Sequence, residues 1–145
     1  MNNGNQQPAV TVLVVDDNLD VADALRTRLS RTGGFACLGA LPSADDLIAH
    51  AERVCPMIVL LDIDMPGKSP FDALAELAER CPASRAVMFT GHVRRELIEK
   101  ALDNGAWGYV SKNDGEDELI SALMKVAAGE FALGPEARRL YDSGI

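Results

Sequence analysis

Short apolar runs and amphipathic segments alternate along this chain, and the alternation recurs five times. The apolar runs, which we predict to be β-strands, lie near residues 10–15, 35–40, 57–61, 86–89 and 106–110. Between them, apolar residues recur at helical spacing, as Val21, Leu25 and Leu29 do. Because strands that alternate with helices form right-handed βαβ units, the sequence predicts an α/β fold built on a parallel sheet.

Composition and charge indicate a single acidic domain. The chain has 145 residues, of which 48% are hydrophobic, and a formal net charge of −8. An acidic surface disfavours nucleic acids and anionic membranes, so we expect this chain to bind neither directly. No apolar stretch approaches the roughly 20 residues of a membrane-spanning helix, and residues 1–8 lack the features of a signal peptide. We therefore expect a cytoplasmic protein.

The chain divides into three predicted segments. We expect residues 1–9 to be disordered, residues 10–129 to form the domain, and residues 130–145 to be a tail or linker. The alternating pattern ends near Gly129. Pro135 is typical of the first turn of a helix, and we expect that helix to continue to Tyr141.

Polar residues follow four of the predicted strands. Asp16 and Asp17 follow the first strand, Asp62 the third, Thr90 the fourth and Lys112 the fifth. Because the carboxyl ends of parallel strands line one crevice, we expect these side chains to lie close together. Carboxylates that meet in this way are unfavourable unless a cation or a proton relieves their repulsion.

This set of side chains predicts phosphoryl chemistry beside a hard cation. Carboxylates with no Cys or His nearby favour Mg²⁺ or Mn²⁺. A carboxylate beside such an ion can attack phosphorus and form an aspartyl phosphate. Lys112 can then pair with the transferred group, and Thr90 can donate a hydrogen bond to it.

Each of these residues taken alone also has a structural explanation. Asp16 or Asp17 could be the N-cap of the following helix, and Asn18 competes for that position. Thr90 suits a strand, and Lys112 suits a solvated surface. Their combination at four strand ends favours a shared site.

Four motifs resemble those of the receiver domain of bacterial two-component response regulators. They are Val14-Val15-Asp16-Asp17-Asn18, Leu61-Asp62-Ile63-Asp64-Met65-Pro66-Gly67, Phe89-Thr90-Gly91 and Gly108-Tyr109-Val110-Ser111-Lys112. The resemblance extends from Val10 to about Gly129. It implies a flavodoxin-like, doubly wound sheet of five parallel strands in the order 2-1-3-4-5, with five flanking helices.

The resemblance also implies roles for the metal-binding and phosphate-binding residues. Asp62 would accept a phosphoryl group from a sensor histidine kinase or a phosphotransfer protein. Mg²⁺, or Mn²⁺ in its place, would be bound by Asp17, the Asp62 carboxylate and the backbone carbonyl of Asp64, with Asp16 acting largely through water. Lys112 would be the phosphate partner. The chain would be a phosphoacceptor signalling domain and not an enzyme that turns over a substrate.

The resemblance implies a switch pair, and the residue pattern predicts a partner surface beside it. Thr90 and Tyr109 would be the switch pair. Strand alternation places Trp107 on the same face as Tyr109. We expect this face, with Leu97 and Arg94, to contact an output protein or a second copy of the chain after activation.

Two positions depart from the pattern of the family. Asn113 follows Lys112 where the family often has a cis proline. A non-proline cis peptide costs roughly 2.5–4 kcal/mol, so we expect a trans bond there. Asp64 adds an acidic side chain beside the site, which either strengthens cation binding or repels the phosphoryl group.

Two other functional interpretations are open. Residues 127–140 resemble the linker of NarL/FixJ regulators, which carry a LuxR-type helix-turn-helix, so the chain is alternatively the receiver half of a longer DNA-binding transcriptional regulator. Asp62-Ile63-Asp64 also has the nucleophile spacing of haloacid-dehalogenase-type phosphatases. In that family the motif usually follows the first strand and the acidic pair comes later, which disfavours this third interpretation.

Overall fold

The computed structural model of the chain describes residues 9–143, in which strands and helices alternate. Residues 1–8 of the segment predicted to be disordered lie outside that range. The strands are β1 (Val10–Val15), β2 (Phe35–Leu41), β3 (Ile58–Leu61), β4 (Arg85–Thr90), β5 (Gly108–Ser111) and β6 (Ala132–Leu133). The helices are α1 (Leu19–Thr32), α2 (Leu47–Val54), α3 (Pro70–Arg80), α4 (Arg95–Asp103), α5 (Glu116–Ala127) and α6 (Pro135–Asp142).

All neighbouring strands are parallel, in the order β2-β1-β3-β4-β5-β6. The predicted order 2-1-3-4-5 is therefore confirmed for the first five strands. The prediction of five strands and five helices is one short of each among the described residues, because the tail forms β6 and α6. The helix predicted from Pro135 to Tyr141 is present and ends one residue later, at Asp142.

The central strands are buried on both faces, as their continuous apolar runs predict. In β1, Val12 and Val14 point towards α1 and α5, whereas Leu13 and Val15 point towards α2, α3 and α4. All four side chains are at most 1% exposed. The sheet is thus the central layer of the fold, and its carboxyl-terminal edge holds the polar residues that follow the strands.

The tail packs against this layer. Ala132 N donates to Trp107 O at 3.0 Å, and Gly134 N donates to Tyr109 O at 2.9 Å, so β6 satisfies the outer edge of β5. Ala137 of α6 is fully buried in the apolar cluster that contains the inner face of α4. The tail is therefore part of the folded domain. Within residues 9–143, none of the helices has both the length and the apolar composition that crossing a bilayer requires.

Candidate functional site

The backbone ladder extends past the strand ends and brings the predicted site residues together. Asp62 N donates to Val15 O at 3.0 Å, which places the residue after β3 beside the residue after β1. Lys112 N donates to Thr90 O at 2.9 Å, which places the residue after β5 beside the last residue of β4. Since β1, β3, β4 and β5 are neighbours in the sheet, all four strand ends meet at one edge.

Three carboxylates form the centre of this edge. Asp16, Asp17 and Asp62 each offer an oxygen, and these oxygens lie within 4.8 Å of one another. Asp16 is 3% exposed and Asp62 is 5% exposed, whereas Asp17 is open to solvent. An all-oxygen set with one solvent-facing member suits a hard divalent cation that keeps some of its water.

Lys112 reaches the two buried carboxylates. Its Nζ lies 2.8 Å from Asp16 Oδ2 and 3.5 Å from Asp62 Oδ2. The ammonium therefore offsets part of the repulsion between the carboxylates, and it stands where an anionic group bound to Asp62 would need a positive partner.

The carboxylate of Asp62 is held in a defined orientation. Its Oδ1 accepts a hydrogen bond from Ile63 N at 2.9 Å. Burial raises the pKa of Asp62 above its usual value, Lys112 opposes this rise, and Asp16 adds to it. Without a cation, the fold therefore penalises the charged form of Asp62.

This pKa shift gives a testable effect on stability. Because Asp62 binds its proton more tightly in the folded state, the free energy of unfolding falls as the pH rises above the unfolded-state pKa and the carboxylate ionises. In EDTA at pH 7 we expect Asp62→Asn to raise the free energy of unfolding by about 1 kcal/mol and Tm by roughly 4 °C. The gain should shrink as the pH is lowered and approach zero below about 3.9, the usual pKa of an unfolded aspartate. Thermal melts of both proteins across pH provide the measurement, and a lower Tm of Asp62→Asn at pH 7 would contradict the effect.

The cap of α1 decides between the alternatives for the acidic pair. Asn18 Oδ1 accepts from Asp20 N at 3.0 Å and from Val21 N at 3.2 Å, so Asn18 is the N-cap. Asp16 Oδ1 accepts from Asn18 N at 2.9 Å and supports the cap from outside the helix. Asp17 does not cap the helix, and its carboxylate belongs to the acidic cluster.

Thr90 and Tyr109 hold the loop after β4 from two sides. Thr90, which is fully buried, accepts a hydrogen bond at Oγ1 from His92 N at 3.0 Å. Tyr109 is also fully buried, and its hydroxyl donates to His92 O at 2.5 Å. Burial raises the pKa of the Tyr109 phenol well above its usual range, so the hydroxyl stays a donor. A change at Thr90 would therefore reach Tyr109 through the backbone of one residue.

His92 also faces the acidic side chain that departs from the family pattern. Its Nε2 lies 3.4 Å from Asp64 Oδ2, and both side chains are exposed, at 59% and 80%. Sequence reasoning misses His92. Its position two residues after Thr90, in the loop beyond a strand end, is the signal that could have identified it.

The loop after β5 is closed by its own residues. Within the described residues every peptide bond is trans, which agrees with the trans bond predicted between Lys112 and Asn113. Asn113 N donates to Ser111 Oγ at 3.0 Å, and Asp114 N donates to Ser111 O at 3.1 Å. These two hydrogen bonds close the turn that contains Lys112, so the turn forms without a proline after the lysine.

Only part of the predicted partner surface is accessible. Arg94 is exposed and Leu97 is half-buried, but Tyr109 is fully buried. The prediction that Trp107 shares the face of Tyr109 is wrong. Trp107 precedes the first residue of β5 and packs with the α1–α5 cluster on the other side of the sheet.

Two neighbours hold Trp107 on that side. Its ring stacks on Phe131, with centroids 4.6 Å apart, and the guanidinium of Arg85 lies 4.7 Å from the ring centroid. Phe131 belongs to the tail, so the contact joins the residue before β5 to the segment before β6. Trp107 therefore contacts the tail and lies in a different apolar cluster from Tyr109.

Comparisons with known proteins agree with this geometry. The family model of the response regulator receiver domain matches residues 12–124. The nitrate/nitrite response regulator protein NarL of Escherichia coli is 33% identical over 129 residues, which are 89% of this chain and 59% of NarL. The transcriptional regulatory protein MctR of Rhizobium johnstonii is 32% identical over 124 residues, which are 86% of this chain and 58% of MctR. This chain thus spans less than two thirds of the length of either relative.

Solved structures show the same fold. A LuxR-family two-component response regulator from Aurantimonas sp. superposes with a TM-score of 0.89 at 27% identity, covering 93% of this chain and 96% of that one. The isolated receiver domain of RcsB from Salmonella enterica superposes with a TM-score of 0.83 at 19% identity, covering 91% and 98%. The second likeness concerns the fold alone.

Proposed function

This chain belongs to the response regulator receiver domain family, and from that premise we propose that it is switched by a phosphoryl group on Asp62. The observation that carries the proposal is the cluster of Asp16, Asp17 and Asp62, whose oxygens lie within 4.8 Å, with Lys112 beside the two buried members. We propose a sensor histidine kinase or a phosphotransfer protein as the donor. Family membership also supports a cytoplasmic location for the transfer.

We propose Mg²⁺, with Mn²⁺ as a substitute, as the cation of the cluster. The donor set supports this choice because it consists of carboxylate oxygens and includes the solvent-facing Asp17. Asp17, the Asp62 carboxylate and the backbone carbonyl of Asp64 would hold the ion, and Asp16 would act through water. The ion would offset the negative charge that the carboxylates share with an incoming phosphoryl group.

The residues around Asp62 suit phosphoryl transfer. The hydrogen bond from Ile63 N orients the Asp62 carboxylate, whose Oδ2 faces Lys112. An oxygen of Asp62 would attack the phosphorus of the phosphodonor, and the bond from phosphorus to the donor nitrogen would break. The Lys112 ammonium would then pair with a phosphoryl oxygen, and Thr90 Oγ would donate a hydrogen bond to another.

The switch would pass through the loop after β4. Thr90 Oγ1 accepts from His92 N, so its own proton is available for a phosphoryl oxygen. Movement of Thr90 towards that oxygen would displace the backbone of His92, which is hydrogen-bonded to Thr90 Oγ1. The displacement would in turn move the hydroxyl of Tyr109, which is bonded to His92 O. The receiver would thereby alter the α4–β5 side of the domain and its contacts with an output protein, an output domain or a second copy.

The alternative proposal is the receiver half of a LuxR-type transcriptional regulator. Its support is that MctR and NarL, a transcriptional regulatory protein and a response regulator, are both longer than this chain. The chain has a net charge of −8, which disfavours contacts with DNA phosphates. We therefore expect any DNA contact to come from a separate output domain.

The test of the main proposal is cation-dependent phosphorylation. Incubate the chain with acetyl phosphate in Mg²⁺ or in EDTA, and measure intact mass and peptide masses. We expect one added phosphoryl group in Mg²⁺, on the peptide that contains Asp62, and at least about a hundredfold slower addition in EDTA. Equal addition in EDTA, or a phosphoryl group on another peptide, would refute the proposal.

A further inference from the structure

We propose that Asp114 is a positioning residue that joins the loop carrying Lys112 to α6, so that docking of α6 and presentation of Lys112 to Asp62 support each other. This inference rests on the proposed function and names a regulatory contact of the same site. It concerns a residue outside the predicted site and a helix outside the predicted domain boundary.

A single carboxylate makes both connections. Asp114 Oδ2 accepts a hydrogen bond from Ser111 N at 3.2 Å, and Asp114 Oδ1 accepts one from Glu136 N at 3.3 Å. Ser111 is the buried last residue of β5 and directly precedes Lys112. Glu136 lies in the first turn of α6, where backbone N–H groups lack partners within the helix and favour a negative charge.

The segment before α6 is fitted closely to Asp114. Gly134 N donates to Tyr109 O at 2.9 Å, which fixes this glycine beside β5. A Cβ placed on Gly134 would lie only 2.5 Å from Asp114 Oδ2, so a side chain does not fit there without displacing the carboxylate. The contact can therefore be broken from either side by a single substitution.

The other end of the connection is the phosphorylation site. Lys112 lies in the turn that Asp114 closes, and in this docked arrangement its Nζ is already 3.5 Å from Asp62 Oδ2. The observed loop thus presents the ammonium to the acceptor. Coupling between two sites is reciprocal. A docked α6 should favour this loop, and an anion bound at Asp62 should favour a docked α6.

The matched pair of variants is Asp114→Asn and Asp117→Asn. An amide accepts through one oxygen only, so Asp114→Asn satisfies one of the two backbone N–H groups and breaks the connection with little change in size. Asp117 is an exposed carboxylate on α5 that pairs with Arg28 of α1, and it serves as the control. Gly134→Ala disturbs the same contact by a change in the tail, because its Cβ would displace the Asp114 carboxylate. An effect seen in both variants is therefore not peculiar to the Asn side chain.

Two measurements are needed for each protein. The first is hydrogen exchange of residues 136–142, together with tryptic cleavage after the exposed Arg138 and Arg139. The second is the rate of phosphorylation by acetyl phosphate and Mg²⁺. In Asp114→Asn and Gly134→Ala we expect exchange of α6 to be about tenfold faster, the factor for losing one charge-assisted hydrogen bond. We expect phosphorylation to be several-fold slower in both variants and unchanged in Asp117→Asn.

Reciprocity separates a positioning role from a merely structural one. Beryllofluoride with Mg²⁺ should slow exchange of α6 in the wild type but not in Asp114→Asn. If α6 loosens while phosphorylation and the beryllofluoride effect stay as in the wild type, Asp114 is only a helix cap and the inference is wrong. Unchanged exchange of α6 in both variants also overturns it. Failure of the wild type to take up phosphate overturns the proposed function instead, and the exchange data still show whether Asp114 holds α6.

Discussion

Asp62→Asn is expected to abolish phosphorylation of this chain by acetyl phosphate, with a loss of more than about a hundredfold. The neutral amide lacks the nucleophilic carboxylate oxygen that the proposed reaction needs. The substitution should preserve the fold, because the side-chain oxygen of Asn can still accept the hydrogen bond from Ile63 N. The measurement is the fraction of phosphorylated protein over time, by intact mass.

The control for this prediction is Asp72→Asn, an identical change at an exposed position in the first turn of α3. It should be phosphorylated at the wild-type rate. Phosphate at near wild-type rates on Asp62→Asn would mean that another group is the acceptor, and peptide mapping would identify it. Asp16 and Asp17, the other two carboxylates of the cluster, would then be the first candidates for the acceptor.

Lys112→Ala is expected to slow phosphorylation by about a hundredfold while leaving Mg²⁺ binding at least as tight as in the wild type. The two effects differ in sign because the ammonium would serve the transferred group but compete with the cation. Its Nζ lies 2.8 Å from Asp16 Oδ2, where a positive charge repels an incoming Mg²⁺. Calorimetric titration with Mg²⁺ and the rate of phosphorylation provide the two measurements.

Lys125→Ala removes the same side chain from an exposed position on α5 and should alter neither quantity. Weaker Mg²⁺ binding in Lys112→Ala would show that the lysine shapes the acidic cluster instead of competing with the ion. An unchanged phosphorylation rate would remove Lys112 from the proposed reaction.

The sequence predicts the main residues of the edge for a physical reason. Asp62 and Thr90 directly follow buried apolar runs, and Lys112 follows one after a single serine. The carboxyl ends of parallel strands share one side of a sheet. This inference requires only the strand pattern and its parallel order. The observed order confirms the pattern for the first five strands.

Residues whose contacts depend on loop conformation could not be found in this way. His92 meets Asp64 across 28 residues of sequence, and Asp114 meets Glu136 N across 22 residues. Neither pair has a periodic signal. The prediction for Trp107 fails for a related reason. Trp107 lies one residue before β5, where the alternation of the strand no longer applies.

The tail adds a strand that is too short to be recognised in the sequence. β6 has two residues, Ala132 and Leu133, and a run of that length does not distinguish a strand from a loop. Its position follows only from the three-dimensional structure, in which the carbonyls of Trp107 and Tyr109 accept hydrogen bonds from Ala132 N and Gly134 N. The boundary predicted at residue 129 reflects the end of the periodic pattern, whereas packing continues through α6.

The packed tail also matters for recombining this domain with others. A chimera joined at residue 129 would leave the carbonyls of Trp107 and Tyr109 without their partners, the backbone N–H groups of Ala132 and Gly134. It would also uncover the apolar surface on which Ala137 is buried. Exposed strand edges and apolar patches promote association between molecules. A fusion that retains the chain through Asp142 keeps both covered, so the module that can be exchanged intact is longer than its alternating pattern.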